Sequence, residues 1–274
     1  MNRGHFLSLS DFTNAEILAL IKRAREMKSG LPGLHVSPRP LEGKIVGLIF
    51  EKPSTRTRVS FEVGVRQLGG QCVFLSRREI QIGRGEPVRD TARVLSRYLD
   101  ALVIRTFGHA ILEEFADWSS VPVINALTDL LHPCQVLGDL MTLQERGLDI
   151  TEMKAAWIGD GNNMAISWIN AAKVLGFPLL LACPEGYDPA VPMDVKNIEL
   201  VRDPVKAVAG AQVVSTDVWA SMGWEKEAEA RRIVFRGFQV NGELLKGAAP
   251  GVFVLHCLPA HRGEEITDEV MESS

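Results

Sequence analysis

The sequence predicts an α/β protein with two lobes, each a parallel sheet flanked by helices. Short apolar runs that are typical of buried strands alternate with stretches of helical periodicity. This alternation occurs twice along the 274 residues, a length that favours two domains over one. One long apolar-periodic stretch, 134–148, joins the two series. We therefore expect domains at 1–140 and 141–274, with the active site in the cleft between them.

The first series opens with a helix. Thr13-Asn14-Ala15-Glu16 is a capping-box pattern, and Gly30 ends the apolar periodicity that follows it. A second helix begins after the first strand and ends at Gly69. The strands are predicted at 45–50, 72–75, 101–105 and 121–125, and the later helices at 89–99 and 111–118.

The second series begins at Lys154. Its predicted strands, with helical stretches between them, are 155–158, 178–183, 198–201, 212–215 and 251–256. Strands that alternate with helices pair in parallel, because each helix carries the chain back across one face of the sheet. Both series therefore predict parallel sheets with helices on both faces.

Composition narrows the class of function. The net charge of −4 argues against a nucleic-acid partner. Residues 1–135 carry a net charge of +4 and residues 136–274 carry −8, so the first half favours an anion and the second a cationic group. No apolar run reaches the roughly 18 residues of a membrane span, and residues 1–10 lack the apolar core of a secretory signal. The four cysteines are widely spaced, which predicts reduced thiols and a cytoplasmic location.

The segment Ser54-Thr55-Arg56-Thr57-Arg58 is the most informative part of the chain. It follows an apolar strand and begins a helix, so free backbone N–H groups converge there. Hydroxyl donors and the two guanidinium groups of Arg56 and Arg58 add to the same point. These donors suit a doubly charged phosphate. A capped, Arg-rich surface helix is the alternative from this segment alone.

Polar clusters recur where predicted strands end, which is where open parallel sheets bind ligands. Six such clusters are present: the segment 54–58, Arg105, His132-Pro133-Cys134-Gln135, Gly159-Asp160-Gly161-Asn162-Asn163, Asp217 and Cys257. Six polar clusters at strand ends are more than a random distribution would place there, which favours a functional site.

At these positions the chain resembles the aspartate/ornithine carbamoyltransferase family, from near residue 5 to its end. Four blocks carry the resemblance: Ser54-Thr55-Arg56-Thr57, His132-Pro133-Cys134-Gln135, Asp217-Val218-Trp219 with Ser221-Met222-Gly223, and His256-Cys257-Leu258-Pro259. The last two blocks are similar to those of the ornithine-specific members. The resemblance implies transfer of a carbamoyl group from carbamoyl phosphate to the δ-amine of L-ornithine, without metal or organic cofactor, in a homotrimer whose sites lie near subunit interfaces.

The resemblance also implies roles in binding carbamoyl phosphate in the first domain. Arg105 would bridge phosphate and carbonyl oxygen, His132 would donate to that oxygen, and Gln135 would accept from the carbamoyl NH2 group. Gln81 would reach a neighbouring subunit's site; a mobile polar loop is the alternative for it. The implied carbamoyl phosphate ligands are Ser54, Thr55, Arg56, Thr57, Gln81, Arg105, His132, Gln135, Cys257 and Leu258.

The second domain would bind ornithine. The family places the α-amino acid group of ornithine against Asn163, Asp217, Ser221 and Met222. The loop Ser221-Met222-Gly223 would close after ornithine binds. Cys257 would contact the δ-amine and help to take up its proton, whereas an inert buried thiol is the usual state of such a residue. Arg105, His132 and Cys257 are thus the predicted catalytic residues.

One feature departs from the family. Relatives usually continue past residue 274 with a strand and a helix that carry a further arginine for carbamoyl phosphate, so the activity of the chain without that segment is open. Three other interpretations of the sequence also remain. Gly159-Asp160-Gly161 after a strand is found in dinucleotide sites, but Met164 stands where a third glycine is needed. The acceptor could be putrescine, an acylated ornithine or lysine. The chain could also be a binding protein without activity.

Overall fold

The computed structural model describes residues 4–29, 39–76, 85–220 and 227–273. The described strands form two sheets, one of four strands and one of five, and every pairing is parallel. The prediction of two parallel sheets flanked by helices is therefore confirmed. The chain divides into two compact units, residues 1–134 and 135–274. The boundary predicted after residue 140 falls inside the helix Pro133–Glu145.

The first sheet has the strand order β2-β1-β3-β4. Its strands are β1 (Ile45–Phe50), β2 (Gln71–Ser76), β3 (Ala101–Arg105) and β4 (Val123–Leu127). Strand β4 begins two residues later than predicted. Pro122 has no backbone N–H for a ladder hydrogen bond, so the strand begins after it.

The helices of this part of the chain are α1 (Asn14–Ser29), α2 (Arg56–Gln67), α3 (Val88–Leu95) and α4 (His109–Trp118). Helix α5 (Pro133–Glu145) begins in the first unit and continues into the second. Helix α5 is shorter than the predicted stretch 134–148. Gly147 follows it with a φ of 86°, a left-handed conformation that commonly ends helices.

Alternation along the strands gives the first sheet a core on each face. Ile49 faces α3 and α4 with Leu102 and Ile104. Its neighbours Leu48 and Phe50 face the opposite way, in the core that includes Val65 of α2. Successive side chains of a strand point to opposite faces, so a continuous apolar run fits a strand buried on both sides.

The second sheet has the order β7-β6-β5-β8-β9. Its strands are β5 (Ala155–Ile158), β6 (Leu179–Ala182), β7 (Ile198–Val201), β8 (Val213–Thr216) and β9 (Phe253–His256). The helices of this unit are α6 (Asn163–Leu175), α7 (Pro204–Val208), α8 (Ala228–Phe235), α9 (Gly242–Leu245) and α10 (Asp268–Met271). Helix α6 is almost wholly buried, and its Trp168 packs edge-on against Phe177 with ring centroids 6.2 Å apart.

None of the helices described in this structure is long and apolar enough to cross a bilayer.

Candidate active site

Both sheets reverse their winding direction beside a central strand. In the first sheet the reversal falls between β1 and β3, and in the second between β5 and β8. Open parallel sheets bind ligands beyond the carboxyl ends of the strands at such a reversal. Ser54 follows β1 and Arg105 ends β3, while Asn163 and Asp217 follow β5 and β8. The predicted site residues of each unit therefore lie at the expected edge.

In the first unit the strand register brings the phosphate segment to Arg105. Phe50 of β1 pairs with Arg105 of β3. One residue further, the hydroxyl of Thr106 donates to the carboxylate of Glu51. Helix α2 begins directly afterwards. Thr55, its N-cap residue, makes no side-chain capping hydrogen bond, so the helix start is not occupied by its own cap.

Three predicted residues meet at this edge. Arg105 is buried, and its Nη1 lies 3.5 Å from the hydroxyl of Thr57, to which it donates. His132 is the third of these residues. Burial and the positive charge of the Arg105 guanidinium lower the pKa of His132 to about 3. His132 is therefore neutral at physiological pH, and a neutral imidazole keeps one N–H donor.

Arg58 does not contribute to this group. Its guanidinium stacks 3.6 Å from the ring centroid of Phe74 and pairs with Glu62 at 3.8 Å. The expectation that both guanidinium groups of the segment converge on one point is therefore wrong for Arg58. An arginine two residues from another on a helix points to a different side.

An ion pair connects the ends of β1 and β4. Lys52 is buried and pairs with Asp129, and its ammonium lies 4.5 Å from the ring centroid of Phe107. Asp129 precedes His132 by three residues. Lys52 thus links the start of the phosphate segment to the segment that carries His132, a contact that the sequence analysis did not find.

In the second unit the register places Asp217 beside Cys257. Ile158 pairs with Thr216, and Thr216 pairs with His256. Asp217 and Cys257 directly follow the ends of these two strands. The thiol of Cys257 donates to Oδ1 of Asp217 at 3.0 Å.

Both groups of this pair are shifted by burial. Burial raises the pKa of Asp217, although the thiol of Cys257 and the other hydrogen-bond donors act in the opposite direction. Burial and then the carboxylate of Asp217 raise the pKa of Cys257 well above its usual value. Cys257 is therefore a protonated thiol at neutral pH, and Asp217 is a more basic carboxylate than one exposed to water.

Asn162 belongs to the polar cluster 159–163, but the sequence analysis gave it no role of its own. Its Nδ2 donates to Oδ2 of Asp217 at 2.8 Å, while its Oδ1 accepts from Met164 and Ala165 as the N-cap of α6. An Asn directly before an apolar helix is an N-cap signal, so the sequence carried this information. Asn163, which was predicted, is the first residue of α6.

A residue that the sequence analysis missed, Arg231, fixes the segment after β8. It is buried, and its Nη1 donates to Asp160 at 2.7 Å and to the carbonyl of Trp219 at 2.8 Å. The Asp160 carboxylate is thus used inside the protein. Gly161 is explained by packing, because a Cβ there would lie 2.2 Å from the backbone nitrogen of Pro189. Neither feature needs a dinucleotide.

The backbone after Cys257 is held by His256. Its Nδ1 accepts from the N–H of Leu258 at 2.9 Å, and its Nε2 donates to the buried Glu265 at 2.9 Å. Leu258 has a φ of 59°, which is uncommon for a residue with a side chain. His256, for which only a steric role was expected, thus orients the Cys257–Leu258 backbone.

Asp217, His256 and Cys257 could also offer ligand atoms to a metal ion, since these atoms lie within 4.8 Å of one another. The thiol already donates to Asp217, and both ring nitrogens of His256 have partners. A cation bound there would have to displace these hydrogen bonds.

Gln135 lies on the first turn of α5 in the second unit, and its Nε2 donates to Oδ1 of Asp139 at 2.9 Å. Three other predicted ligands, Gln81, Ser221 and Met222, lie outside the described residues.

A cationic helix start in one parallel α/β unit and a carboxylate–thiol pair in the other define the class of two-domain α/β proteins that bind charged small molecules at sheet edges. Comparison with known proteins gives the family. Residues 4–145 match the carbamoyl-P binding domain, and residues 151–274 the Asp/Orn binding domain, of aspartate/ornithine carbamoyltransferases.

Individual relatives agree. The chain is 55% identical to the ornithine carbamoyltransferase of Desulfotalea psychrophila over 98% of its own length and 90% of the relative's. It is 54% identical to the anabolic ornithine carbamoyltransferase of Pseudomonas aeruginosa, over 99% and 90% of the two chains. The solved ornithine carbamoyltransferase of Pyrococcus furiosus matches with a TM-score of 0.90 and 48% identity, over 98% and 89% of the two chains. The chain belongs to the aspartate/ornithine carbamoyltransferase family.

Proposed function

We propose that this chain transfers the carbamoyl group of carbamoyl phosphate to the δ-amine of L-ornithine, giving L-citrulline and phosphate in the anabolic direction. Relatives that are more than half identical to the chain are named ornithine carbamoyltransferases. The observation that carries the proposal is the group formed by Thr57, Arg105 and His132, in which cationic and neutral donors lie together at the helix start. Such a group fits an anion joined to a carbonyl.

Residues 1–140 form the carbamoyl phosphate domain in this proposal. The N–H groups at the start of α2 bind the phosphate with Ser54, Thr55, Arg56 and Thr57, because a helix N-terminus favours an anion. Arg105 adds a buried positive charge, which lies between the phosphate and the carbonyl oxygen. Gln81 supplements this site from a neighbouring subunit.

His132 polarises the carbonyl as a neutral donor. Its lowered pKa keeps it uncharged, so it donates a hydrogen bond without adding a proton to the substrate. Donors aimed at an oxygen that becomes negative in the transition state are worth about 3–4 kcal/mol each. Gln135 accepts from the carbamoyl NH2 group, and the backbone of Leu258 completes the contacts.

Residues 141–274 form the ornithine domain. Asp217 attracts the cationic acceptor, while Asn163, Ser221 and Met222 bind its α-amino acid group. The acceptor's δ-ammonium has a pKa of about 10.4 in water and must lose a proton before it attacks. Closure of the Ser221-Met222-Gly223 loop removes water, which lowers that pKa.

The Cys257–Asp217 pair receives the proton. Sulfur accepts it from nitrogen as the thiol proton moves to Asp217, whose pKa is raised by burial. The neutral nitrogen then forms a bond to the carbamoyl carbon and becomes positively charged. The tetrahedral intermediate collapses, the C–O bond breaks, and the leaving phosphate takes up the second proton from that nitrogen. Every step uses side chains and substrates, so the proposal needs no metal or organic cofactor. Positioning of the two reactants supplies roughly 7–11 kcal/mol of the barrier reduction.

In this proposal the protein acts in the cytoplasm as a homotrimer. Exposed Val59 and Val63 on α2 give the first domain an apolar face beside the phosphate segment, which supports association there. Cys72, Cys134, Cys183 and Cys257 are free thiols in this structure.

A citrulline assay on the purified chain tests the function. We expect equimolar citrulline and phosphate from carbamoyl phosphate and L-ornithine. Putrescine, lysine and an N-acylated ornithine are the matched acceptors, and each should react at least about 100-fold more slowly. If any of them reacts faster than L-ornithine, that amine is the acceptor instead. Tight binding of a bisubstrate analogue without formation of any product would show that the chain is a binding protein without activity.

A further inference from the structure

Gln135 and Asp139 form a side-chain pair on one face of α5. They are one helical turn apart, and Nε2 of Gln135 donates to Oδ1 of Asp139 at 2.9 Å. An ionised carboxylate can only accept hydrogen bonds, so it selects the NH2 end of the amide. The amide oxygen of Gln135 then points away from Asp139. Within the described part of the chain, no donor reaches that oxygen.

The surroundings of this pair differ from those of a surface pair. Gln–Asp pairs at this spacing add only about 0.2–0.5 kcal/mol to an exposed helix. Both residues here are half-buried, and burial raises the pKa of Asp139 to about 7, although the hydrogen bond from Gln135 lowers it. Among the described residues, the hydrogen-bond partner of the Asp139 carboxylate is the neutral amide of Gln135. An ionised carboxylate in such a place lowers the free energy of unfolding.

Asp139 also lies close enough to Cys257 for its charge to act on the thiol. Burial and Asp217 are the main causes of the raised pKa of Cys257, and the charge of Asp139 contributes in the same direction. The pair on α5 and the Asp217–Cys257 pair are therefore within electrostatic reach of each other.

We propose that Asp139 is a positioning residue that fixes the amide of Gln135 with its oxygen toward the carbamoyl nitrogen, and that it thereby makes the site selective for carbamoyl phosphate over acyl phosphates. This rests on the proposed function, in which Gln135 accepts from the carbamoyl NH2 group. Acetyl phosphate has a methyl group at that position and gains nothing from an oriented oxygen. Without Asp139 the amide is free to turn, and its NH2 end then faces the NH2 group of the donor.

The test compares three probes without ornithine: carbamoyl phosphate, acetyl phosphate and inorganic phosphate, with affinities measured by calorimetry at pH 8.5. In Asp139→Asn we expect the affinity for carbamoyl phosphate to fall about 10- to 100-fold. The affinities for acetyl phosphate and inorganic phosphate should change less than about threefold. Glu145→Gln is the control, because it removes one exposed carboxylate from the same helix.

A double-mutant cycle separates positioning from structure. If Asp139 acts through Gln135, Asp139→Asn has no further effect on selectivity in a Gln135→Ala background. Equal losses for all three probes, or unchanged selectivity in Asp139→Asn, would overturn the proposal. If Asp139→Asn does not fold, Asp139→Ser undergoes the same comparison. A wild-type chain that makes no citrulline would instead contradict the proposed function, so the two failures are distinguishable.

Discussion

The thiol of Cys257 lies 3.0 Å from Oδ1 of Asp217, and the two residues follow strands that pair in register. The hydrogen bond therefore connects the sequence block that begins at Asp217 with the block that contains Cys257. The proton on sulfur already points at the carboxylate that can receive it. Asn162 and the backbone N–H of Val218 hold that carboxylate in place at 2.8 Å each.

Replacing Cys257 should affect turnover rather than donor binding. We expect Cys257→Ala to lower kcat about 100-fold or more, because the proton acceptor for the δ-amine is lost. The Kd for carbamoyl phosphate should change less than about threefold. Steady-state kinetics and calorimetry measure the two quantities. Cys257→Ser keeps a donor to Asp217 and should lose less, and turnover unaltered in Cys257→Ala would remove this residue from the mechanism.

His132 should stay neutral across the working pH range. Burial and Arg105 lower its pKa to about 3, so its imidazole carries no added proton between pH 5 and 8. In a 15N-labelled sample the ring signals of His132, assigned through His132→Asn, should not move over this range. An exposed histidine would titrate near about 6.5. A midpoint for His132 between pH 6 and 7 would contradict the assignment of a neutral donor.

The two partners of the Lys52–Asp129 pair should differ in their effect on stability. The side chain of Lys52 is 9% exposed and that of Asp129 62% exposed. Asp129→Asn leaves a buried ammonium without its carboxylate and should cost about 1–3 kcal/mol. Lys52→Met keeps the aliphatic volume and leaves a carboxylate that water can solvate, so it should cost less than about 1 kcal/mol. Urea unfolding measures both, and the opposite order would refute this interpretation of their burial.

Asp139 predicts a definite pH dependence of stability. Its folded pKa of about 7 lies above the ordinary value of 3.8, so the folded state holds a proton that the unfolded state has released. Stability therefore falls as pH rises from about 4 to about 7 and then levels off. Asp139→Asn removes this loss, by about 1.4 kcal/mol for each pKa unit of the shift.

The measurement is the free energy of unfolding of wild type and Asp139→Asn at pH 4 to 8.5. The stability of the variant relative to wild type should rise across pH 4–7 and stay constant above it. A difference that does not change with pH would show that Asp139 ionises normally. Glu145→Gln again serves as the matched control on the same helix.

Apolar runs were sufficient to predict the strands, because strands buried on both faces leave an unbroken apolar signal. Polar residues at the strand ends likewise indicated Arg105, Asp217 and Cys257. The contacts made by Lys52, Asn162, Arg231 and His256 were not predicted. Arg231 is 71 positions from Asp160, and only the folded sheet brings such residues together. Gln135 was predicted, but its partner Asp139 was not, because a single polar residue on a helix carries no sign of its contacts.

A crystal structure with carbamoyl phosphate and norvaline, which lacks the reactive δ-amine, is the decisive test of the proposed site. We expect the phosphate at the start of α2 against Thr57 and Arg105, and the carbonyl oxygen within hydrogen-bond distance of His132. The side chain of norvaline should be directed toward Cys257. Phosphate bound away from Arg105, or an acceptor remote from Cys257, would contradict the proposed site.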